Sequence, residues 1–229
     1  MNAFANLVMP VVVFETDSPL NGHIRVLEKG RTRKLYAGDT LQSVNCDSPL
    51  AERMCWGKVV DIIQNNIGCP GNMLLLGLGG GTIPHLVANK CPGVSIVSVD
   101  LDPIMVDVGR KYFDLDGIPN HRIIVDDACR LVTSPEEFGI SPNEFDVIIV
   151  NIYVGEKYPD LGNSGGFFAG IKKLLRPGGL AIFNRIYLKH HQDEVNNFID
   201  NVSQFYTDVK SVIVAGITNS DNVVIYGYS

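Results

Sequence analysis

Residues 73–82 read M-L-L-L-G-L-G-G-G-T, and residues 95–103 read S-I-V-S-V-D-L-D-P. An apolar strand running into a glycine turn, followed roughly twenty residues later by a second strand that ends in an acid, is the start of a parallel α/β sheet. The pattern places a candidate adenosine site at the sheet's carboxyl edge. Glycines at 77, 79 and 81 would clear side chains from the backbone amides, and Asp100 could accept two hydrogen bonds from ribose hydroxyls.

The rest of the chain fits that beginning. Apolar runs at 73–76, 94–99, 122–125, 145–150 and 180–185 alternate with helical patterns, the rhythm of a parallel sheet covered on both faces. Thr82, with Pro84 behind it, and Asp102, followed by Pro103, are expected N-caps. Val195, Phe198, Ile199, Val202 and Phe205 mark the apolar face of a late helix, and 209–215 and 222–228 predict a closing antiparallel strand pair. Upstream, 11–15, 23–28, 33–37 and 41–44 are short strands separated by turn clusters. Residues 50–63 predict one helix joining the two parts. The expected organisation is an N-terminal antiparallel β region (1–49), a bridging helix and loop (50–71) and a nucleoside-binding domain (72–229).

With 229 residues, a formal charge of -6 and no basic cluster, the chain is not expected to bind nucleic acid. Cys46, Cys55, Cys69, Cys91 and Cys129 are odd in number and lack C-x-x-C spacing, which predicts reduced thiols, no metal site and a cytoplasmic location. The apolar stretch 7–14 is too short for a bilayer, has no basic leader and suits an N-terminal strand, so no membrane partner is expected. His190 and His191 lack metal spacing, and Trp56 reads as packing on the joining helix.

The ordered motifs resemble the spermidine synthase family, the polyamine aminopropyltransferases, over nearly the whole length. The resemblance rests on S-P-L-N-G-H-I-R-V-L-E from Ser18, R-K-L-Y-A-G-D-T-L-Q-S from Arg33, G-L-G-G-G-T, V-D-L-D, V-D-D-A and L-L-R-P-G-G-L from Leu174. It implies a Rossmann-like class I methyltransferase fold: a parallel sheet with a terminal antiparallel strand pair, plus a small N-terminal β extension. It also implies a homodimer and a small-molecule amine or other nucleophile as acceptor. The cofactor implied is S-adenosylmethionine, its decarboxylated form or methylthioadenosine, with no metal. Carried over, Gln42 and Asp100 would hold the sugar side, Gly77, Gly79, Gly80 and Gly81 the glycine loop, and Asp127 with the Ala128 amide the adenine edge. Asp127 equally suits the N-cap of a helix starting at Ala128.

Two departures bear on chemistry. Aminopropyl transfer needs a neutral amine, and removing a proton of pKa near 10.4 at pH 7 costs about 4 to 5 kcal/mol. The family's carboxylate for this purpose ends the fourth parallel strand, where this chain has Asn151 in V-N-I-Y-V-G-E-K-Y-P; an amide cannot take the proton. Val154 stands in place of the second acid of the family's D-S-S-D form, and Tyr153 and Pro159 resemble its D-A-Y branch. The family also carries an acid in the glycine loop, where Gly80 stands. An acid there would oppose the carboxylate of intact S-adenosylmethionine by about 4 kcal/mol at about 4 Å and an effective dielectric of about 20, roughly a thousandfold in affinity. Three readings stay open: a transferase with a replacement base such as Tyr153, Glu156 or Asp160 on the glycine-rich loop 155–166, a methyltransferase, and a non-catalytic nucleoside-binding homologue. Asp39, Asp47, Glu52 and Asp160 are the unplaced carboxylates available for a diamine. A dinucleotide dehydrogenase is disfavoured by Thr82, where its fingerprint needs glycine or alanine, and by the closing strand pair.

Overall fold

The computed structural model describes residues 9–153, 165–188, 192–216 and 220–229. Val154, Glu156, Pro159, Asp160, His190 and His191 lie outside them. The chain opens with a four-stranded antiparallel meander, β1 (Val11–Ser18), β2 (Gly22–Lys29), β3 (Thr32–Ala37) and β4 (Thr40–Val44), in the order β1-β2-β3-β4.

The expected single joining helix is two helices, α1 (Pro49–Arg53) and α2 (Cys55–Asn66), broken at Met54, whose ψ is -176°. The break requires a glycine at 57: an added Cβ there would sit 2.0 Å from the Glu52 carbonyl oxygen, so no side chain fits the junction.

A seven-stranded sheet follows, ordered β10-β11-β9-β8-β5-β6-β7. Its parallel strands are β5 (Asn72–Leu76), β6 (Ser95–Asp100), β7 (His121–Val125), β8 (Phe145–Val150) and β9 (Leu175–Leu188). β10 (Thr207–Val214) and β11 (Ser220–Tyr228) close one edge in antiparallel pairing. The connecting helices are α3 (Thr82–Lys90), α4 (Pro103–Phe113), α5 (Ala128–Thr133), α6 (Gly165–Leu174) and α7 (Gln192–Ser203).

Strand alternation divides the core. Met73 and Leu75 face a layer with Val59, Ile63 and Leu86, whereas Leu74 and Leu76 face one with Phe168, Phe183 and Phe198. Trp56 is buried in the first layer. A third cluster seats Ile24, Val26 and Leu35 of the meander on Met105, Val108 and Phe113 of α4, which places the meander over one end of the sheet. Among the described residues no helix is long and apolar enough to cross a membrane.

Two further sequence expectations need correction. Cys69 and Cys91 form a disulfide with Cα atoms 5.2 Å apart; only Cys46, Cys55 and Cys129 are free thiols. The turn after α2 and the end of α3 are distant in sequence but adjacent in the fold, so spacing could not reveal the pair. The thiol-based argument for a reducing compartment falls with it. Nor does Thr82 cap α3; the cap position is Gly81, with no side-chain bond. Thr82 Oγ1 instead donates to Val44 O at 2.7 Å and accepts from Val44 N at 3.0 Å, fastening the meander's last strand to the start of α3.

Candidate functional site

β5 lies between β6 and β8, and the chain crosses from β7 back past β5 to form β8. That reversal opens a crevice at the carboxyl ends of the strands. A cavity of about 260 Å³ occupies it. Gln42, Gly77, Gly79, Asp100, Asp127, Ala128, Asn151 and Tyr153 all line it; Gly80 and Gly81 do not. Asp39, Asp47 and Glu52 are likewise absent from its wall, and Asp160 is outside the described residues.

The glycine loop is shaped by the protein's own packing more than by room for a ligand. A Cβ on Gly77, whose φ is 90°, would lie 2.2 Å from the carbonyl oxygen of Asn151, so this position tolerates no side chain. A Cβ on Gly80 would point at Ser43, Leu35 and Phe113, away from the cavity, and Gly80 N donates to Ser43 Oγ at 2.8 Å. An acid at 80 would therefore face the meander, and the charge argument attached to that position does not hold.

The loop's other amides are also occupied. Leu78 N and Gly79 N both donate to Asp100 Oδ2 at 3.0 Å, and Asp102 N donates to Asp100 Oδ1 at 3.0 Å. A carboxylate offers about four acceptor positions, so three backbone bonds leave room for one more partner on Asp100 rather than two. Burial raises the pKa of the Asp100 carboxyl, and these three amides oppose the rise. Asp102 caps α4 by accepting from Ile104 N at 2.9 Å, and its second oxygen receives Ser18 Oγ and, at 2.7 Å, Asn21 Nδ2. That contact docks the Ser18–Gly22 turn at the cavity rim, where Leu20 and Asn21 line the wall. The sequence marked this segment as a turn and as part of a family-like motif, with no residue of it assigned to the site.

Gln42 supplies the sharpest local signal. Its Nε2 is buried and has no hydrogen-bond partner among the described residues, although the side chain lines the cavity. A buried amide donor left without an acceptor costs about 1–3 kcal/mol.

Across the cavity Asp127 accepts from Cys129 N at 2.8 Å, so it does cap α5; its other oxygen is not needed for the cap. Asp126, not singled out in the sequence, also lines the wall, accepting from Asp127 N and pairing with Arg130 at 2.8 Å. Its neighbour in V-D-D-A was the only available hint. Asn151 Oδ1 accepts from Asn184 Nδ2 at 2.8 Å, and the Tyr153 hydroxyl donates to Asn184 O at 2.7 Å. Three acids and no Lys, Arg or His among the described residues line the wall. Such a wall suits a cation and opposes a phosphate.

The spermine/spermidine synthase domain family matches residues 62–228. The chain belongs to that family. The polyamine aminopropyltransferase of Vibrio vulnificus is 27% identical over 115 residues, 50% of this chain and 38% of that enzyme. The eEF1A lysine and N-terminal methyltransferase of Mus musculus is 30% identical over 125 residues, 51% of this chain and 17% of the relative. The chain therefore spans well under half the length of these relatives. Among solved structures, a probable spermidine synthase from Corynebacterium glutamicum superimposes with a TM-score of 0.75 over 96% of this chain and 81% of that one, at 19% identity. The fold is accordingly that of the spermidine synthases, with the N-terminal antiparallel sheet added to a mostly parallel one.

Within this family frame the end of β8 carries an amide, Asn151, bonded to a second amide. Neither is a proton acceptor of carboxylate strength.

Proposed function

We propose that the cavity takes an adenosine bearing sulfur, namely S-adenosylmethionine, its decarboxylated form or methylthioadenosine, and that the chain transfers an aminopropyl-type group from such a sulfonium to an amine acceptor. The observation that carries this reading is the acid-lined cavity at the sheet's reversal point, with no Lys, Arg or His among the described residues of its wall and the Gln42 amide buried and unpartnered there. Gln42 and the remaining acceptor position of Asp100 suit ribose hydroxyls. Asp127 and the Ala128 amide suit the adenine edge, which offers an amino donor beside a ring acceptor. Acids in the wall favour a sulfonium's positive charge.

In the transfer, the lone pair of a neutral amine attacks the carbon bonded to sulfur. The carbon–sulfur bond breaks, its electron pair stays on sulfur as a neutral thioether, and the new ammonium loses its extra proton. Asn151 cannot receive a proton from the incoming amine, and the Tyr153 hydroxyl already donates to Asn184 O. Asp160 and Glu156, in the segment after β8, are the carboxylates we assign to this task.

Methyl transfer is the second reading. It is supported by the amide that replaces a carboxylate at β8 and by relatives that are methyltransferases. One experiment separates the readings: incubation with each sulfonium and a panel of amines, with the nucleoside product identified by mass spectrometry. Methylthioadenosine marks transfer of the propyl-type arm, and S-adenosylhomocysteine marks methyl transfer. Absence of both across the panel would leave a nucleoside-binding homologue without transferase activity.

A further inference from the structure

Three asparagines stand in a row across adjacent strands of the sheet. Asn151 follows β8, Asn184 is on β9 and Asn222 is on β11. β8 and β9 pair Val150 with Phe183, which sets Asn151 beside Asn184. Asn184 pairs with Val224 on β11, so Asn222 is its diagonal neighbour on the same face. The bonds run one way: Asn222 Nδ2 donates to Asn184 Oδ1 at 3.1 Å, and Asn184 Nδ2 donates to Asn151 Oδ1 at 2.8 Å. Asn184 is 2% exposed, and the Tyr153 hydroxyl grips its backbone carbonyl, so the central amide is held in place.

The direction of that row decides what Asn151 offers. Asn184 fills one of the two acceptor positions of the Asn151 oxygen and fixes the plane of its amide, and no described residue accepts from the Asn151 amino group, on a residue that lines the cavity. We propose that Asn184 is a positioning residue that locks Asn151 with its amino group toward the cavity, so that this end of the site recognises a carboxylate, that of intact S-adenosylmethionine, in place of an ammonium. An amino group has no acceptor for the ammonium arm of the decarboxylated compound, whereas a carboxylate accepts its N–H groups. The inference rests on the sulfonium-nucleoside reading above and names the arm of that nucleoside that the site reads. It also relocates selectivity from the glycine loop, where position 80 faces the meander, to the end of β8.

The test is calorimetric titration of wild type, Asn184→Asp and Asn151→Ser with methylthioadenosine, S-adenosylmethionine and its decarboxylated form. Wild type should prefer the intact compound over the decarboxylated one by about 10- to 100-fold, the value of one charged hydrogen bond. Asn184→Asp keeps the bond from Asn222 but puts an acceptor in place of the donor behind Asn151, turning the Asn151 carbonyl to the cavity; the preference should vanish or invert. Asn151→Ser should lose it without adding charge, and decides the matter should the aspartate variant fail to fold. Methylthioadenosine, which lacks the arm, is the reference in each protein: the preference is read as the ratio of the two sulfonium affinities, each taken relative to methylthioadenosine. Equal or reversed wild-type preference, or a ratio unchanged in both variants, overturns the inference while leaving the nucleoside site intact. Failure of methylthioadenosine to bind wild type overturns the underlying reading instead.

Discussion

Replacing Asp100 by asparagine separates its structural duty from any ligand duty. The carboxylate accepts three backbone N–H groups, from Leu78 and Gly79 on one oxygen and from Asp102 on the other. Asparagine keeps one oxygen. If that oxygen stays on Leu78 and Gly79, two charged bonds become neutral ones, and the new amino group confronts Asp102 N, stranding a donor. Those losses come to about 2–4 kcal/mol. Removing a charge whose burial raises its pKa offsets part of this, so a net loss of about 2 kcal/mol is expected. For a chain this long the melting temperature should fall by about 4–8 °C. Calorimetric melting at pH 7 reads the loss, and hydrogen exchange at the Leu78 and Gly79 amides localises it, since both should exchange faster. A melting temperature within a degree of wild type, with exchange at those amides unchanged, would refute the claim that Asp100 organises the glycine loop.

Asn151→Asp places a carboxylate where Asn184 Nδ2 already donates, so aminopropyl transfer to putrescine should appear or rise in a methylthioadenosine-release assay; no gain would mean that the diamine pocket is missing as well. Thr82→Val strands both backbone groups of Val44 and should cost about 2–4 kcal/mol in urea unfolding, whereas a cost under about 0.5 kcal/mol would deny the link between meander and sheet. Reducing the Cys69–Cys91 bond, which closes a separation of 22 residues, should remove about 3 kcal/mol, and a Cys69→Ser protein should show no further loss with reductant. Burial lowers the His121 pKa to about 4, below its unfolded value of about 6.5. Between those values the unfolded chain binds more protons, so this contribution is fully present above about pH 6.5 and is lost as pH falls toward about 4. With allowance for partial solvation it is about 2 kcal/mol, and His121→Gln should flatten the acid limb of a stability–pH curve by that amount.

Much of the framework was readable because it is written locally. Continuous apolar runs such as Met73 to Leu76 mark strands buried on both faces, and the alternating stretch in β2 marks a half-covered one. The glycine turn, the acid ending β6 and the closing strand pair follow from the same periodicities. What escaped was tertiary. The break at Met54 depends on how closely Gly57 can approach Glu52, and nothing in the helical pattern records that distance. Thr82 has the chemistry of a cap but is drawn to Val44, a partner 38 positions earlier. The glycines at 77, 79, 80 and 81 look equivalent in sequence, yet only Gly77 and Gly79 line the cavity, because the backbone turns Gly80 toward Ser43. The asparagine row joins three strands that only the sheet order makes neighbours.

Titration of the wild-type protein with methylthioadenosine tests the central claim, because that nucleoside carries the adenosine and sulfur without the arm on which the other proposals turn. A saturable one-to-one heat is predicted, weakened by Gln42→Leu and by Asp127→Asn. At a free concentration about a hundredfold above Kd, ligand linkage should add about 2.7 kcal/mol and raise the melting temperature by about 5–10 °C. No heat and no melting shift at millimolar nucleoside would contradict the account.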